Sequence, residues 1–163
     1  SRFPDLVDAL CGAVSVDAIL GAFEQPAGQA AVVAHQAAID RLFIGAEVEH
    51  ILAVLDHEAG GNGAHAAFAG ATAALMRTKS PTSLKLVLEQ MRRGATLDFA
   101  ECMRTEFRIV SRVVRGHDFY EGIRALLIDK DQAPRWRPSA LADVAAADVE
   151  RYFAPLAREL ELP

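Results

Sequence analysis

Apolar residues recur along this chain at the spacing of one helix face, most clearly between residues 46 and 59. In this segment, AEVEHILAVLDHEA, they fall at i, i+3, i+4 and i+7, at Val48, Ile51, Leu52 and Leu55. That spacing places side chains on one side of an α-helix, where they can face a core. The pattern predicts a half-buried helix.

Start and stop signals divide the rest of the chain into further helices. Helices commonly begin at Ser, Thr or Asp caps and end at Gly, and such residues separate the apolar stripes. The other predicted helices cover about 4–11, 16–23, 36–44, 64–78, 81–93, 97–115, 118–128 and 146–160. Strand patterns are nearly absent, so we predict an all-α fold of seven to nine helices in one domain, 1–163.

Four N-capping positions follow from this pattern, the first of them at Ser15, ahead of the helix at 16–23. Ser80 precedes Pro81, so its hydroxyl can accept a hydrogen bond from a first-turn N–H while the proline occupies a position whose N–H would have no partner. We expect Thr96 to cap a helix of about 20 residues that ends at Gly116. Asp118 is then predicted to cap the next helix.

Composition and charge narrow the function classes. The 163 residues are alanine-rich and 52% hydrophobic, which favours helix, and the net charge of −5 disfavours general nucleic-acid binding. The two cysteines, Cys11 and Cys102, are interpreted as free thiols, and no apolar run is long enough to span a membrane. The alanine and arginine content is typical of bacterial cytoplasmic proteins. The chain begins at Ser1 and its first methionine is Met76, which indicates a processed or cut piece.

Three histidines near several acids form the strongest candidate for a metal site. Glu47 and His50 have the Glu-x-x-His spacing of carboxylate-bridged di-metal bundles, and His57 and His65 follow. Such a site needs a second motif of this kind, which the sequence does not contain. We interpret the segment as a solvated helix face and predict no metal.

Four arginines recur on one helix face, and two interpretations of them remain open. They follow each other at steps of four, four and three, at Arg104, Arg108, Arg112 and Arg115. They can form a solvated face that pairs with acids of the chain. They can also form an electropositive wall toward an anion or an acidic partner, because the guanidinium fork suits phosphate and carboxylate.

Nucleophilic catalysis finds no support in the sequence. No serine lies in a Gly-x-Ser-x-Gly elbow and neither cysteine has a catalytic motif. The GGNG segment at 60–63 lacks the lysine of a phosphate-binding loop and is predicted to be a turn. His117 and Asp118 are adjacent at a helix start, where we expect that they do not face each other. These motifs therefore predict no catalytic nucleophile.

Several segments between residues 79 and 153 resemble a known family. SPTSLKLVLEQMRRG, EFRIVSRVVRGHDFYEGIRALLIDKDQAPRWRPSAL and the final DVERYF are similar to the C-terminal region of 3-hydroxyisobutyryl-CoA hydrolases, within the crotonase (enoyl-CoA hydratase/isomerase) superfamily. The resemblance implies an acyl-CoA thioester as substrate, no further cofactor, and a role in valine catabolism. In that family the oxyanion amides and acids lie in an α/β core upstream of the matched segments, so the resemblance implies no catalytic residue in this chain.

The resemblance also implies partners and one ligand contact. The chain would be a helical C-terminal part without its N-terminal crotonase core, inactive alone, that covers the acyl-CoA site and contributes to subunit contacts in a homo-oligomer. Hydratases of the superfamily have a lysine after a Glu-Gly-x-x-Ala-Phe helix that reaches the nucleotide end of CoA. Lys130 lies about one residue from that place, and Leu126 replaces the phenylalanine. The alternatives are a hydratase or isomerase, or a stand-alone helical interaction module.

Overall fold

The structure is a computed structural model and describes residues 2–12, 15–26, 28 and 30–162. Within these residues it contains nine α-helices, several short 3₁₀ or π turns and no strand. This confirms the all-α prediction. The chain divides into two compact units, Ser1–Gln36 and Ala37–Pro163, which are described separately. The prediction of a single domain stays a prediction.

The first unit is a small helix pair. It contains α1 (Phe3–Cys11), α2 (Val16–Phe23) and a 3₁₀ turn (Ala31–His35). The Ser15 hydroxyl accepts from the Ala18 N–H at 3.4 Å, as predicted for the start of α2. Neither helix has a buried residue, and the Arg2 guanidinium lies 4.5 Å from the centroid of the Phe23 ring.

The second unit begins with a three-helix core. Its helices are α3 (Gln36–Leu42), α4 (Val48–Ala59) and α5 (Ala66–Arg77). The apolar stripe of α4 is buried as predicted, against small residues of α5, and the cluster comprises Ala38, Leu42, Val48, Ile51, Leu52, Leu55, Ala69 and Ala73. Gly45 lies in the connection between α3 and α4, where a Cβ atom would come within 2.8 Å of the His50 ring. A larger residue would therefore require the side chains of His50 and Ile51 to shift.

The remaining helices build a second core. They are α6 (Pro81–Gly94), α7 (Phe99–Val113), α8 (His117–Ile123) and α9 (Ala146–Phe153), with a π-helical turn at Arg124–Ile128 and a 3₁₀ turn at Leu141–Asp143. The buried residues of this core are Leu86, Ile109, Val144, Val149 and Phe153. Arg112 of α7 joins the end of α9 by donating to the carbonyls of Tyr152 at 3.1 Å and Pro155 at 3.2 Å.

Several predicted helix ends are wrong, each for a local reason. The N-cap of α7 is Asp98 rather than Thr96, because the Asp98 carboxylate accepts from the Glu101 N–H at 2.8 Å. The last helix ends at Phe153 rather than Leu160, since Pro155 disfavours helical backbone at Ala154, whose ψ is 146°. Helix α7 ends at Val113, whereas the prediction extended it to the residue before Gly116.

Asp118 does not cap the following helix either. Gly116 is the N-cap residue of α8, and no side chain caps that end. The helical segment that follows changes to a π-helical turn at Arg124, so regular α-helix does not reach Ile128. The Asp118 carboxylate instead bonds to groups that lie far away in the sequence, as described below.

Candidate functional site

Lys130 lies on an exposed turn that directly follows the π-helical turn. Its φ angle is 57° and that of Gln132 is 56°, so two residues with side chains adopt the left-handed region within three positions. Such backbone is uncommon outside glycine and tends to occur where neighbouring groups hold it in place. The turn closes through the Asp129 N–H, which donates to the Arg124 carbonyl at 2.8 Å, and the Gln132 N–H, which donates to the Ala125 carbonyl at 3.1 Å.

The Arg124 guanidinium binds both ends of this turn. Its Nη1 atom donates to Asp129 Oδ2 at 2.6 Å and to Asp131 Oδ2 at 2.7 Å. On the other side it forms a bidentate pair with Glu121, with Nε and Nη2 distances of 3.0 and 2.8 Å. Nη2 also donates to the Ala133 carbonyl at 3.2 Å. One side chain thus connects α8 to three positions of the turn.

The electrostatics of this cluster favour its charged form. Hydrogen bonds from Arg124, followed by the N–H of Arg135, lower the pKa of Glu121 to about 2. The same guanidinium, together with the Ala133 N–H, lowers the pKa of Asp131. The three carboxylates in turn raise the pKa of Arg124, so it stays protonated throughout the ordinary pH range.

A second polar cluster centres on Asp118 and joins three segments of the second unit. The buried Ser80 hydroxyl donates to Asp118 Oδ2 at 2.6 Å, and the Arg137 N–H donates to Oδ1 at 2.8 Å. The Nδ1 atom of His117 lies 3.0 Å from Oδ1, so the expectation that these neighbours do not face each other is wrong. The Trp136 indole N–H donates to the Thr78 carbonyl at 2.9 Å and closes the same loop onto the start of α6.

An apolar groove of about 750 Å³ lies beside the Asp118 cluster, within the second unit. Its polar lining includes Lys79, His117, Asp118 and Arg137, and its apolar lining includes Leu75, Leu86, Val113, Phe119, Ile123, Leu126, Leu127, Trp136 and Tyr152. Gly122 lies under the indole, where a Cβ atom would stand 3.4 Å from Trp136 Cη2. The groove therefore combines a mainly apolar lining with a few polar side chains.

The arginine face of α7 is largely engaged within the chain. Arg104 pairs with Glu101, Arg108 pairs with both carboxylate oxygens of Glu159, and Arg112 donates to backbone carbonyls. Arg115 forms no ion pair with the described residues. The geometry thus matches the acid-paired interpretation for two of the four arginines, whereas Arg112 is held by backbone carbonyls.

The histidine segment brings no metal-ligand set together. Among residues 2–12, 15–26, 28 and 30–162, no three His, Cys, Asp or Glu side chains are grouped closely enough to hold an ion. Two acids near these histidines are paired instead, Asp56 with Arg77 and Glu58 with Arg41, and both pairs lower the pKa of the carboxylate. Cys11 and Cys102 are both free thiols.

The ligand contact of Lys130 stays a prediction. The structure also reveals the cluster around Arg124, which was not predicted from the sequence. No described residue forms an ion pair with Lys130, although an aspartate stands on each side of it. Arg124 was not predicted as a functional residue. The sequence feature that could have indicated it is the Glu-x-x-Arg spacing at the end of α8, followed by Asp-Lys-Asp. This order places one arginine within reach of three acids.

Comparison with known proteins gives the family. The chain is 44% identical to the mitochondrial 3-hydroxyisobutyryl-CoA hydrolase of Danio rerio over 126 residues, which are 77% of this chain and 31% of that protein. It is 36% identical to the human mitochondrial enzyme of the same name over 122 residues, 75% of this chain and 30% of that protein. The chain therefore spans about a third of the length of these relatives.

Solved structures agree with this relationship. A carnitinyl-CoA dehydratase from Mycobacterium thermoresistibile superposes with a TM-score of 0.84 at 35% identity, covering 98% of this chain and 44% of that one. An enoyl-CoA hydratase from Rhodobacter sphaeroides superposes with a TM-score of 0.72 at 33% identity, covering 95% and 43%. Residues 1–153 match the enoyl-CoA hydratase/isomerase family model. The chain thus belongs to the enoyl-CoA hydratase/isomerase family, in the crotonase superfamily, and is related to 3-hydroxyisobutyryl-CoA hydrolase.

Proposed function

We propose that this chain is the C-terminal helical portion of an acyl-CoA thioester hydrolase of the 3-hydroxyisobutyryl-CoA hydrolase type, acting in valine catabolism. The observation that carries the proposal is the similarity to proteins of that name, of which the chain matches only about 30% of the length. Thioester hydrolysis needs preorganised donors for the carbonyl oxygen and an acid or base. In this proposal an N-terminal crotonase core supplies those groups, and this chain alone is inactive.

The exposed surface around α8 supports a covering role. Leu126, Leu127 and Ile128 are consecutive and expose 52%, 68% and 69% of their surface, and we call them the apolar patch. Phe119 and Tyr120 are exposed on the preceding helix. Isolated exposed apolar residues are ordinary, but a contiguous group of large ones marks an interaction surface. We propose that the core of the same protein covers this surface, and that neighbouring subunits of a homo-oligomer extend the contact.

Lys130 is the residue that we propose to bind substrate. Its exposed ammonium group would contact a phosphate at the nucleotide end of the acyl-CoA, for which a point charge on a flexible stem is well suited. Its lack of an ion pair within the described residues supports this role, because an ammonium already held by a carboxylate would bind phosphate less well. No metal or cofactor takes part in the proposal.

Two other functions are supported by specific observations. The two solved neighbours are a carnitinyl-CoA dehydratase and an enoyl-CoA hydratase, which favours a hydratase or isomerase as the parent enzyme. Arg115, which follows the end of α7 and forms no ion pair with the described residues, favours a stand-alone helical module that binds an acidic protein. Binding of a CoA ester by this chain alone, abolished by Lys130→Ala, would contradict the module.

The decisive experiment measures two reactions of the complete protein side by side. We expect release of free CoA from 3-hydroxyisobutyryl-CoA and little hydration of crotonyl-CoA. Lys130→Ala should raise the KM for the thioester about tenfold with kcat unchanged, because it removes a binding contact remote from the reacting carbonyl. Hydration without hydrolysis would show instead that the parent is a hydratase.

The location within the cell stays a prediction. Within the described residues, no helix is long and apolar enough to cross a membrane. The names of the Danio rerio and human relatives place those proteins in mitochondria. A cytoplasmic location for this chain is proposed only from its composition.

A further inference from the structure

The two acids beside Lys130 are turned away from it toward a different cation. Asp129 and Asp131 both accept hydrogen bonds from Arg124 Nη1, at 2.6 and 2.7 Å, and neither pairs with the lysine between them. In a mobile turn, an ammonium flanked by two carboxylates would spend part of its time with them, because such contacts form at little cost near a surface. The arrangement seen here leaves the Lys130 ammonium available.

The backbone of the turn is held in an unfavourable conformation by the same side chain. Left-handed backbone at Lys130 and Gln132 is disfavoured for residues that carry a Cβ atom and persists only where the surroundings enforce it. Arg124 contacts the turn at Asp129, Asp131 and the Ala133 carbonyl. Asp131 Oδ1 also accepts the Ala133 N–H at 2.9 Å, which fixes the carboxylate itself.

We propose that Arg124 is a positioning residue for Lys130. By holding Asp129 and Asp131 it fixes the turn and directs both carboxylates away from the ammonium group, which is then free to meet a phosphate of the nucleotide end of an acyl-CoA. This inference rests on the proposed function, from which it takes the ligand of Lys130. It adds a group that never touches the ligand but sets how well the lysine binds it.

Arg124 can do this because it is itself anchored from the opposite side. Glu121 of α8 accepts from Nε and Nη2, and the Arg135 N–H donates to Glu121 Oε1 at 2.7 Å. The guanidinium therefore has a fixed position before any ligand arrives, and a preorganised contact loses less conformational freedom on binding. A lysine at this place would keep the charge but lacks the planar fork that reaches five acceptor oxygens on four residues.

The test uses the complete protein and two thioesters of the same acyl group. One is the acyl-CoA, and the other is the acyl-pantetheine, which lacks the nucleotide end. Arg124→Lys should raise the KM for acyl-CoA about tenfold, like Lys130→Ala, and leave kcat and the KM for acyl-pantetheine unchanged. The double variant should be no worse than either single variant, because both act through one contact.

A matched control is Arg151→Lys, since Arg151 pairs with Asp148 on the exposed side of α9. It should change neither KM. If Arg124→Lys raises both KM values equally, Arg124 is merely structural and the inference fails. The inference also fails if Lys130→Ala weakens acyl-CoA binding but Arg124→Lys does not, although the proposed function then stands. Absence of thioester turnover by the unmodified protein would remove the proposed function itself.

Discussion

The Glu121 carboxylate accepts three N–H groups, two from Arg124 and one from the Arg135 backbone. These donors depress its pKa from 4.5 to about 2 in the folded protein. A depressed pKa contributes stability that is complete above the unfolded value and is lost as the pH falls through the folded one. The contribution of Glu121 should therefore disappear between about pH 4.5 and about pH 2.

Urea unfolding at a series of pH values tests this residue. Glu121→Gln should lower the free energy of unfolding at pH 7 and bring the variant and the parent together as the pH approaches 2. Glu161→Gln makes the same charge change at an exposed position with no described ion pair, so its effect should not converge in this way. A constant difference between the Glu121→Gln variant and the parent at every pH would contradict the assignment.

At the scale of single residues, the sequence indicates which residue types lie in a turn but not which groups they contact. The motif places Lys130 on a charged turn, and the structure agrees that it is exposed there. The link from Ser80 to Asp118 spans 38 positions and depends on how α6 and α8 pack, which no local pattern encodes. Arg124 was missed for a related reason, because its contacts depend on the π-helical turn and on left-handed backbone at Lys130.

At the scale of elements, the start of α6 combines two roles in one side chain. The Ser80 hydroxyl accepts from the Ser83 N–H at 3.2 Å and donates to Asp118, and the residue is only 4% exposed. Ser80→Ala removes both the cap and the hydroxyl that donates to Asp118. We therefore expect the free energy of unfolding to fall by about 2 kcal/mol. Urea unfolding with an unchanged m value would measure it.

The start of α7 provides the comparison for that experiment. Asp98→Ala removes only the hydrogen bond that caps the Glu101 N–H, so it should lower the free energy of unfolding by about 1 kcal/mol. Thr96→Ala should cost less than that, because Thr96 bonds only to the Arg93 carbonyl. Equal losses for Ser80→Ala and Asp98→Ala would show that the bond to Asp118 adds nothing.

Helix existence was predictable from apolar spacing, whereas helix ends depended on caps, a proline and ion pairs that apolar spacing does not register. The α4 stripe and the Ser80-Pro81 start appear as expected, since both signals are local. The end of α9 depends on Pro155, which follows the last helical turn, and the break at Arg124 coincides with its ion pairs. The apolar residues continue at helical spacing through these positions, so their spacing alone predicts helix beyond the true end.

At the scale of the molecule, alanine content and helical spacing were enough to predict an all-α fold, and the structure confirms it. The division into units Ser1–Gln36 and Ala37–Pro163 was not predicted. The first unit has helices with apolar faces but no buried residue in either of them. Burial depends on what lies opposite a face, and a periodic pattern cannot supply that information.

The apolar patch gives a test of the proposed core that does not depend on catalysis. Leu127 exposes 68% of its surface here, so Leu127→Ser should change the free energy of unfolding of this chain by less than about 0.5 kcal/mol. In the complete protein the same change should cost about 2 kcal/mol, because a leucine covered by the core would lose its buried area. Met91→Ser, at a residue that is 70% exposed outside the patch, is the matched control and should be nearly neutral in both. If Leu127→Ser is as harmless in the complete protein as in this chain, the core does not lie over the patch, and the covering role would have to be placed on another face of the second unit.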